Sequence, residues 1–292
     1  MTSELTFMAA LRSLATDPAA RNLDDDCAVL EIGGEALVLT HDAMVEGVHF
    51  LPGQDPADIA WKLVATNISD LAAKGAAPLG VLLGYQLGAG DARFVDGLRA
   101  ALAHYGAPLL GGDTVGGPGP QHLGLTAIGR ATHRPVPSRA GARAGDRVWL
   151  AGALGGAMIG LEALREGSGD STAYRRPQAR LAEGIALAPQ VTAMMDVSDG
   201  LLLDALRMAR ASSACLSLDT AAVPLACPEE RRAEALRWGD DYALLFTLPP
   251  AATPPATVTA TCVGEVLAGP EGTLRIEGRV IESGDNLGFE HR

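Results

Sequence analysis

Hydrophobic positions recur along this chain with two periods, and the periods take turns. Leu5, Met8, Leu11 and Leu14 keep a helical spacing over 4–15. The stretches 27–32 and 36–40 read as two strands joined by a Gly33-Gly34-Glu35 turn, and 45–50 continues as an extended segment. Asp55-Pro56 supplies a cap and a first-turn proline for a helix that runs to about Lys74 and stops at Gly75. A strand over 79–87, an amphipathic helix over 91–105, and strands over 107–110 and 122–131 follow. The segment 133–145, with two prolines and three arginines, reads as a linker. Beyond it the pattern predicts strands over 147–150, 191–195, 215–218, 243–248, 258–263, 274–277 and 280–282. Helices are expected over 156–166, 178–187 and 228–236, and from about Leu201 onward. Strands and helices alternate on both sides of the linker, so the expected class is α/β (α+β) in two domains, 1–135 and 145–292.

Carboxylates break this pattern at particular places. Asp24-Asp25-Asp26 run straight into an apolar strand, where like charges repel and burial adds to the cost. Asp42, Asp113, Asp196 and Asp199 stand at comparable element ends. Carboxylates on loops at strand ends make a site for a hard cation such as Mg2+, which takes oxygen ligands and bridges to phosphate. On the helix opened by Pro56, about 100° per residue puts Ile59 at zero, Leu63 near ~40°, Leu71 near ~120° and Val64 near ~140°. Asn67 near ~80° and Asp70 near ~20° fall inside that apolar arc, so both point toward the sheet. Two partners suit Asp70: Lys74 one turn on, or a metal shared with the acidic loops.

Gly111-Gly112-Asp113-Thr114, expected just past a strand, offers small residues and backbone N–H groups to a phosphate. Gly152-Ala153-Leu154-Gly155-Gly156 either presents a helix N-terminus to an anion or serves close helix–strand packing. Asp196 and Asp199 flank a strand-to-helix turn where Ser198 or Asp199 is also a candidate cap, which leaves Asp196 unaccounted for. Arg139 and Arg143 are candidates for phosphate contact.

The bulk properties narrow the choice. The 292 residues are 48% hydrophobic with a net charge of -12, which argues against a nucleic-acid binder and against an anionic membrane surface. The only lysines are Lys62 and Lys74, and no G-x-x-x-x-G-K-[ST] occurs, so metal ions, arginine and backbone N–H groups must neutralise any bound phosphate. Four cysteines without a C-x-x-C or a nearby histidine pair argue against zinc. No signal-peptide pattern and no apolar run of about 18 residues stands in the chain, so a cytoplasmic protein with free thiols is expected.

Six stretches in one order give the chain a resemblance to the thiamine-monophosphate kinase family. They are Asp25-Asp26-Cys27-Ala28, His41-Asp42 through Gly47-Val48-His49-Phe50, Asn67-Ile68-Ser69-Asp70-Leu71-Ala72-Ala73, Gly111-Gly112-Asp113-Thr114, Asp196-Val197-Ser198-Asp199-Gly200-Leu201, and Gly239-Asp240-Asp241-Tyr242. The resemblance implies an ATP-dependent kinase converting thiamine monophosphate to thiamine diphosphate with several Mg2+ ions. It implies two α/β domains, with the N-terminal mixed sheets of a homodimer joined into a barrel and a C-terminal α/β sandwich. The metal ligands it implies are Asp26, Thr40, His41, Asp42, Asp70, Asp113, Asp196 and Asp199. Nucleotide contacts fall on Gly112, Asp113, Arg139, Ser198 and Tyr105, and substrate contacts on His49, Asp240 and Phe289. Asp42, Asp113 and Asp199 are the residues on which turnover is expected to depend. Three positions depart from the family: Asp24 stands where it has Gly, His41 where it has Thr, and Asp240 where it has Glu. Another ATP-using enzyme of the same superfamily, or a non-catalytic Mg2+- or nucleotide-binding protein, is the competing reading.

Overall fold

The computed structural model of the protein describes residues 4–281 and 286–289. The first half holds α1 (Glu4–Arg12), β1 (Ala28–Ile32), β2 (Glu35–Val45), α2 (Pro56–Ala73), β3 (Ala76–Gln86), α3 (Asp91–Tyr105), β4 (Leu109–Val115) and β5 (His122–Ala131). Its five strands form one mixed sheet in the order β1-β2-β5-β3-β4, with β3 and β4 parallel. The second half holds β6 (Arg147–Ala151), α4 (Gly156–Glu166), α5 (Thr172–Arg175), α6 (Leu181–Leu187), β7 (Ala193–Val197), α7 (Leu201–Ala211), β8 (Cys215–Leu218), α8 (Arg232–Ala235), β9 (Ala243–Leu248), β10 (Thr261–Leu267), β11 (Thr273–Ile276) and β12 (Arg279–Ile281). Its seven strands run β12-β11-β8-β10-β6-β9-β7, antiparallel except for β8 with β11. Glu282, the end of the last expected strand, lies outside the described residues.

Helix α2 organises both halves. Asp55 caps it, Pro56 opens it, and Lys74 ends it before Gly75 turns at φ +57°. The sequence pattern predicts one buried face, but nearly every residue of α2 is buried. One side packs on β2, β5 and α3; the other meets α5, α6 and β7 of the second half. The second side carries a polar stripe. Asp58, Lys62 and Ser69 fall within about 40° of one another around the helix. Asp58 binds Arg175 and Arg176, Lys62 binds Asp240, and Ser69 binds Asp196. A small apolar cluster that includes Ala72, Ala73, Leu187, Met194 and Phe246 fills the seam beside this stripe.

Several expected elements shift. The segment 45–50 is a turn rather than an extended run, since Val48 and His49 both donate backbone N–H groups to the Val45 carbonyl, at 3.1 and 2.9 Å. Gly111-Gly112-Asp113-Thr114 lie inside edge strand β4, not beyond it. Gly112 allows this, because a Cβ there would stand 1.9 Å from the Leu83 carbonyl oxygen on β3. The expected helix over 228–236 is a 3-10 turn followed by α8. The stretch 133–145 is bound to the first half through Arg139, as described next.

Candidate active site

The hairpin of β1 and β2 pairs Ala28 with Leu39, which carries Asp26 toward Thr40-His41-Asp42 as the sequence suggests. Asp24 faces solvent and pairs with Arg12, so the departure at this position adds no charge to the site. Asp25 and Asp26 turn inward, their side chains 2% and 0% exposed. Lys74, itself 0% exposed, lies between them in ion pairs with both, and its ammonium also donates to the Met194 carbonyl at 3.3 Å. This corrects the pairing of Lys74 with Asp70: as the C-cap, Lys74 has left the helical path. Burial opposes the Asp25 charge, but Lys74 and Arg21 outweigh it and hold that carboxyl well below its usual range. Arg139 brings the 133–145 stretch onto Asp26, with its Nε donating to Oδ1 at 2.7 Å.

Asp26, Asp70 and Asp196 each present a carboxylate oxygen within 4.8 Å of the others. They come from the β1 entry, the last turn of α2 and the middle of β7, so this cluster joins the two halves. Thr40 donates its hydroxyl to Asp70, Ser69 donates to Asp196 at 2.7 Å, and the Asp42 N–H donates to Asn67 Oδ1 at 3.0 Å. The inward orientation of Asn67 and Asp70 therefore matches the helical arc. Burial, joined by the charges of Asp42, Asp196 and Asp26, pushes the Asp70 carboxyl well above its usual range. Burial and Asp26 push Asp196 up to about 8. Burial pushes Asp42 up to about 6, with Asp199 and Asp26 adding to the rise and His41 opposing it. The fit for a hard cation rests on the donor set: three carboxylates from separate elements converge, and Lys74 and Arg139 reach only Asp26 among them. An all-oxygen set of this kind suits Mg2+.

In the second half, neither Ser198 nor Asp199 caps α7. Both backbone N–H groups donate to Asp204 Oδ2, at 3.1 and 3.0 Å, and Arg207 bridges Asp204 and Asp199 at 2.8 and 2.5 Å. Phe289 donates its N–H to the Asp199 carbonyl at 2.9 Å and keeps its ring 44% exposed. The 239–242 loop is held in unusual backbone: Asp240 has φ +68° and Tyr242 φ +50°, left-handed values that cost side-chain-bearing residues on the order of 1 kcal/mol each. This conformation aims Asp240 at α2, where Lys62 Nζ donates to Oδ2 at 2.7 Å and Tyr242 donates its hydroxyl to Oδ1 at 2.9 Å. Lys62 also donates to the His49 carbonyl at 3.1 Å and lies 4.0 Å over the Tyr174 ring. Asp241 points the other way, accepting from the Gly155 and Ala157 N–H groups at 2.7 and 3.0 Å. The anion at the α4 N-terminus is thus the protein's own carboxylate.

Some expected residues lie apart from the acidic cluster. In β2, Thr40 and Asp42 face inward with Val38, while His41 faces out, its ring bonded to the Thr126 hydroxyl at 2.9 Å. Asp113 pairs with Gly84, which pairs with Gly124, so it shares the outer face with His41 in a shallow groove of about 300 Å³. Tyr105 is buried beside Trp61, and its hydroxyl accepts from the Ala179 N–H at 3.0 Å. Lys62, Ser69, Asp204 and Asp241 were not singled out from the sequence. A charged residue inside an apolar helical run marks Lys62 and Asp204; Ser69 and Asp241 stand inside two of the six family stretches, beside the residues that were singled out.

Residues 24–131 match the AIR synthase related protein N-terminal domain, and residues 143–277 match the C-terminal domain of the same name. The fold, its acidic seam and these matches define an AIR synthase related protein in two halves. Thiamine-monophosphate kinase of Escherichia coli K12 is 34% identical over 92% of this chain and 91% of its own length. The Caulobacter vibrioides kinase of that name is 35% identical over 94% and 86%. AaThiL complexed with AMPPCP and TMP superposes with a TM-score of 0.88 at 27% identity, covering 99% of this chain and 97% of that one. The chain belongs to the thiamine-monophosphate kinase family.

Proposed function

We propose that the chain transfers the γ-phosphoryl group of ATP to thiamine monophosphate, giving thiamine diphosphate and ADP, at the seam between its two halves. The observation that carries this is the meeting of Asp26, Asp70 and Asp196, three carboxylates from both halves, in a member of the kinase family. A phosphate oxygen of the acceptor, already anionic at neutral pH, attacks the γ-phosphorus in line. One P–O bond forms, the bond to the bridging oxygen breaks, and ADP leaves with the electron pair. No strong base is required, so the protein's part is positioning and charge control.

Asp26, Asp70 and Asp196 would hold the Mg2+ of this reading, with Thr40, Asp42 and Asp199 as the further ligands; His41 and Asp113, whose side chains stand on the outer face of the sheet, lie apart from that cluster. Bound Mg2+ supplies charge neutralisation between two anionic reactants. Arg139 and Ser198 would face the nucleotide, with Gly112, Asp113 and Tyr105 as its further contacts. His49, Asp240 and Phe289 form the acceptor side. In this division 1–135 binds nucleotide and metal, and 145–292 completes the site. Leu30, Ile32, Leu82 and Val115 are exposed on the outer face of the five-stranded sheet, and Leu37, Leu39 and Ile128 stand half-buried on it. An apolar sheet face of this kind supports burial against a second copy in a homodimer. No described helix is long and apolar enough to cross a membrane.

The test is turnover of purified protein with Mg-ATP and thiamine monophosphate, following thiamine diphosphate and ADP together. Equal amounts of both, abolished by EDTA, are expected. ADP without thiamine diphosphate would move the acceptor elsewhere, and absence of both products would overturn the reading.

A further inference from the structure

The protein has two lysines in 292 residues, Lys62 in α2 and Lys74 at its C-cap, and both are buried in ion pairs. Lys74 is the more unusual, because it stands inside the acidic cluster. Its ammonium makes ion pairs with both Asp25 Oδ1 and Asp26 Oδ2. Asp26 Oδ1 is taken by Arg139. One carboxylate therefore answers to a fixed cation on each oxygen, and it also belongs to the cluster with Asp70 and Asp196.

We propose that Lys74 is a resident cation of this cluster, which sets how strongly Asp26, Asp70 and Asp196 attract a divalent ion. A lysine suits that place. Its charge is compact, on a stem that reaches from the end of α2, and it does not fork across several oxygens as arginine does. It is also well placed at a helix C-terminus, where a positive charge is favoured. Asp25 is the counterweight. It shares the ammonium with Asp26, and Arg21 and the Arg139 N–H hold it in place. The Lys74–Asp25 pair thus leaves part of the Asp26 charge available. Removing either partner changes the local charge by one unit, in opposite directions, without touching Asp26, Asp70 or Asp196.

This inference rests on the cluster being a divalent-cation site, and the test separates the two claims. Mn2+ binding to the purified full chain, without nucleotide, is measured by the loss of the free-ion EPR signal. Lys74→Met is expected to bind Mn2+ at least tenfold more tightly than the wild type. Asp25→Asn, which leaves the whole ammonium charge on Asp26, is expected to bind at least threefold more weakly. Lys74→Arg, keeping the charge, stays within threefold of the wild type. Wild-type affinity in Lys74→Met or in Asp25→Asn overturns the proposal, as does tightening in Lys74→Arg equal to that in Lys74→Met, since the effect would then not follow the charge. If Lys74→Met does not fold, Asp25→Asn decides alone. A wild type that takes up no Mn2+ removes the metal site itself and the proposal with it.

Discussion

The two ends of α2 hold the same kind of contact and do different things with it. At one end Lys74 is sealed from solvent and faces Asp25 and Asp26, with Asp70, Asp196 and Asp42 close behind. Lys74, Arg139 and Arg21 do not balance that many carboxylates, and the Asp70, Asp196 and Asp42 carboxyls are raised by burial first and by their acidic neighbours after it. Toward the other end, in the second turn of the helix, Lys62 meets one carboxylate, Asp240, which is 30% exposed, together with a carbonyl and the face of Tyr174. That end is balanced, aromatic and partly open. An unbalanced acidic pocket calls for an inorganic cation; a balanced one edged by rings suits an organic ligand. One helix thus fixes the spacing between a metal-and-phosphate end and an acceptor end.

The largest effect expected from breaking this contrast is at the acidic end. Asp70→Asn should lower turnover at least a thousandfold, while circular dichroism and thermal melting stay near the wild type. The carboxyl is pushed well above its usual range by burial and by its acidic neighbours, so its neutral replacement relieves repulsion in the metal-free fold. A turnover loss of less than tenfold would detach Asp70 from the chemistry. At the balanced end, Lys62→Met should raise the KM for thiamine monophosphate at least tenfold and move the KM for ATP less than twofold. Equal changes in both would mean that Lys62 only holds the halves together.

The acidic end should also be visible in stability against pH. Asp196 and Asp42 have carboxyls pushed up to about 8 and about 6 from the usual 3.8. Between those values the unfolded chain binds fewer protons than the folded one, so their contribution falls as pH rises from about 4 to about 8. Asp25 acts in the opposite sense. Its carboxyl is held low by Lys74, so its contribution is present above its ordinary range and is lost as pH falls below it. The metal-free protein should therefore melt highest near pH 5 and lose several degrees by pH 8. Saturating Mg2+ should flatten that decline, and Asp196→Asn should remove much of it. A melting temperature that rises from pH 5 to pH 8 without metal would contradict the charge imbalance.

Much of this arrangement was legible in the sequence, and the misses have physical causes. Asp55-Pro56 and Gly75 marked the ends of α2 because caps and breakers act locally. The 3.6-residue period was enough to place Asn67 and Asp70 inward. The same period misled at Lys74, because a C-cap no longer obeys it. It also hid the Asp58–Lys62–Ser69 stripe. A polar stripe usually means water, and here it means a second domain, which only tertiary packing reveals. Gly111-Gly112 read as a turn because paired glycines usually are one. In β4 the glycine instead lets an edge strand pass close to Leu83, and the two-residue alternation then sends Asp113 to the outer face with His41. Six family motifs in order pointed to the right family even though two of their residues, Asp113 and His41, lie across the sheet from the inner carboxylates.

The smallest effect sharpens the contrast at the level of neighbouring residues. Asp240 and Asp241 are adjacent and chemically identical, yet one reaches Lys62 and the other closes the α4 N-terminus. Gly155, the N-cap residue of α4, has no side chain to accept a hydrogen bond, so Asp241 supplies both oxygens from another part of the chain. Burial pushes its carboxyl up to about 6 even though the Ala157 and Gly155 N–H groups pull it down. Asp241→Ala should lose about 1 kcal/mol, the usual value of a cap, and melt roughly 2–4 °C lower. Its KM for thiamine monophosphate should stay within threefold of the wild type. Asp240→Ala should raise that KM at least tenfold, and because it leaves the buried Lys62 ammonium without its carboxylate it should melt lower as well. If both variants moved KM alike, the loop would be acting as one unit, and the separation of a structural carboxylate from an acceptor-side one would fail.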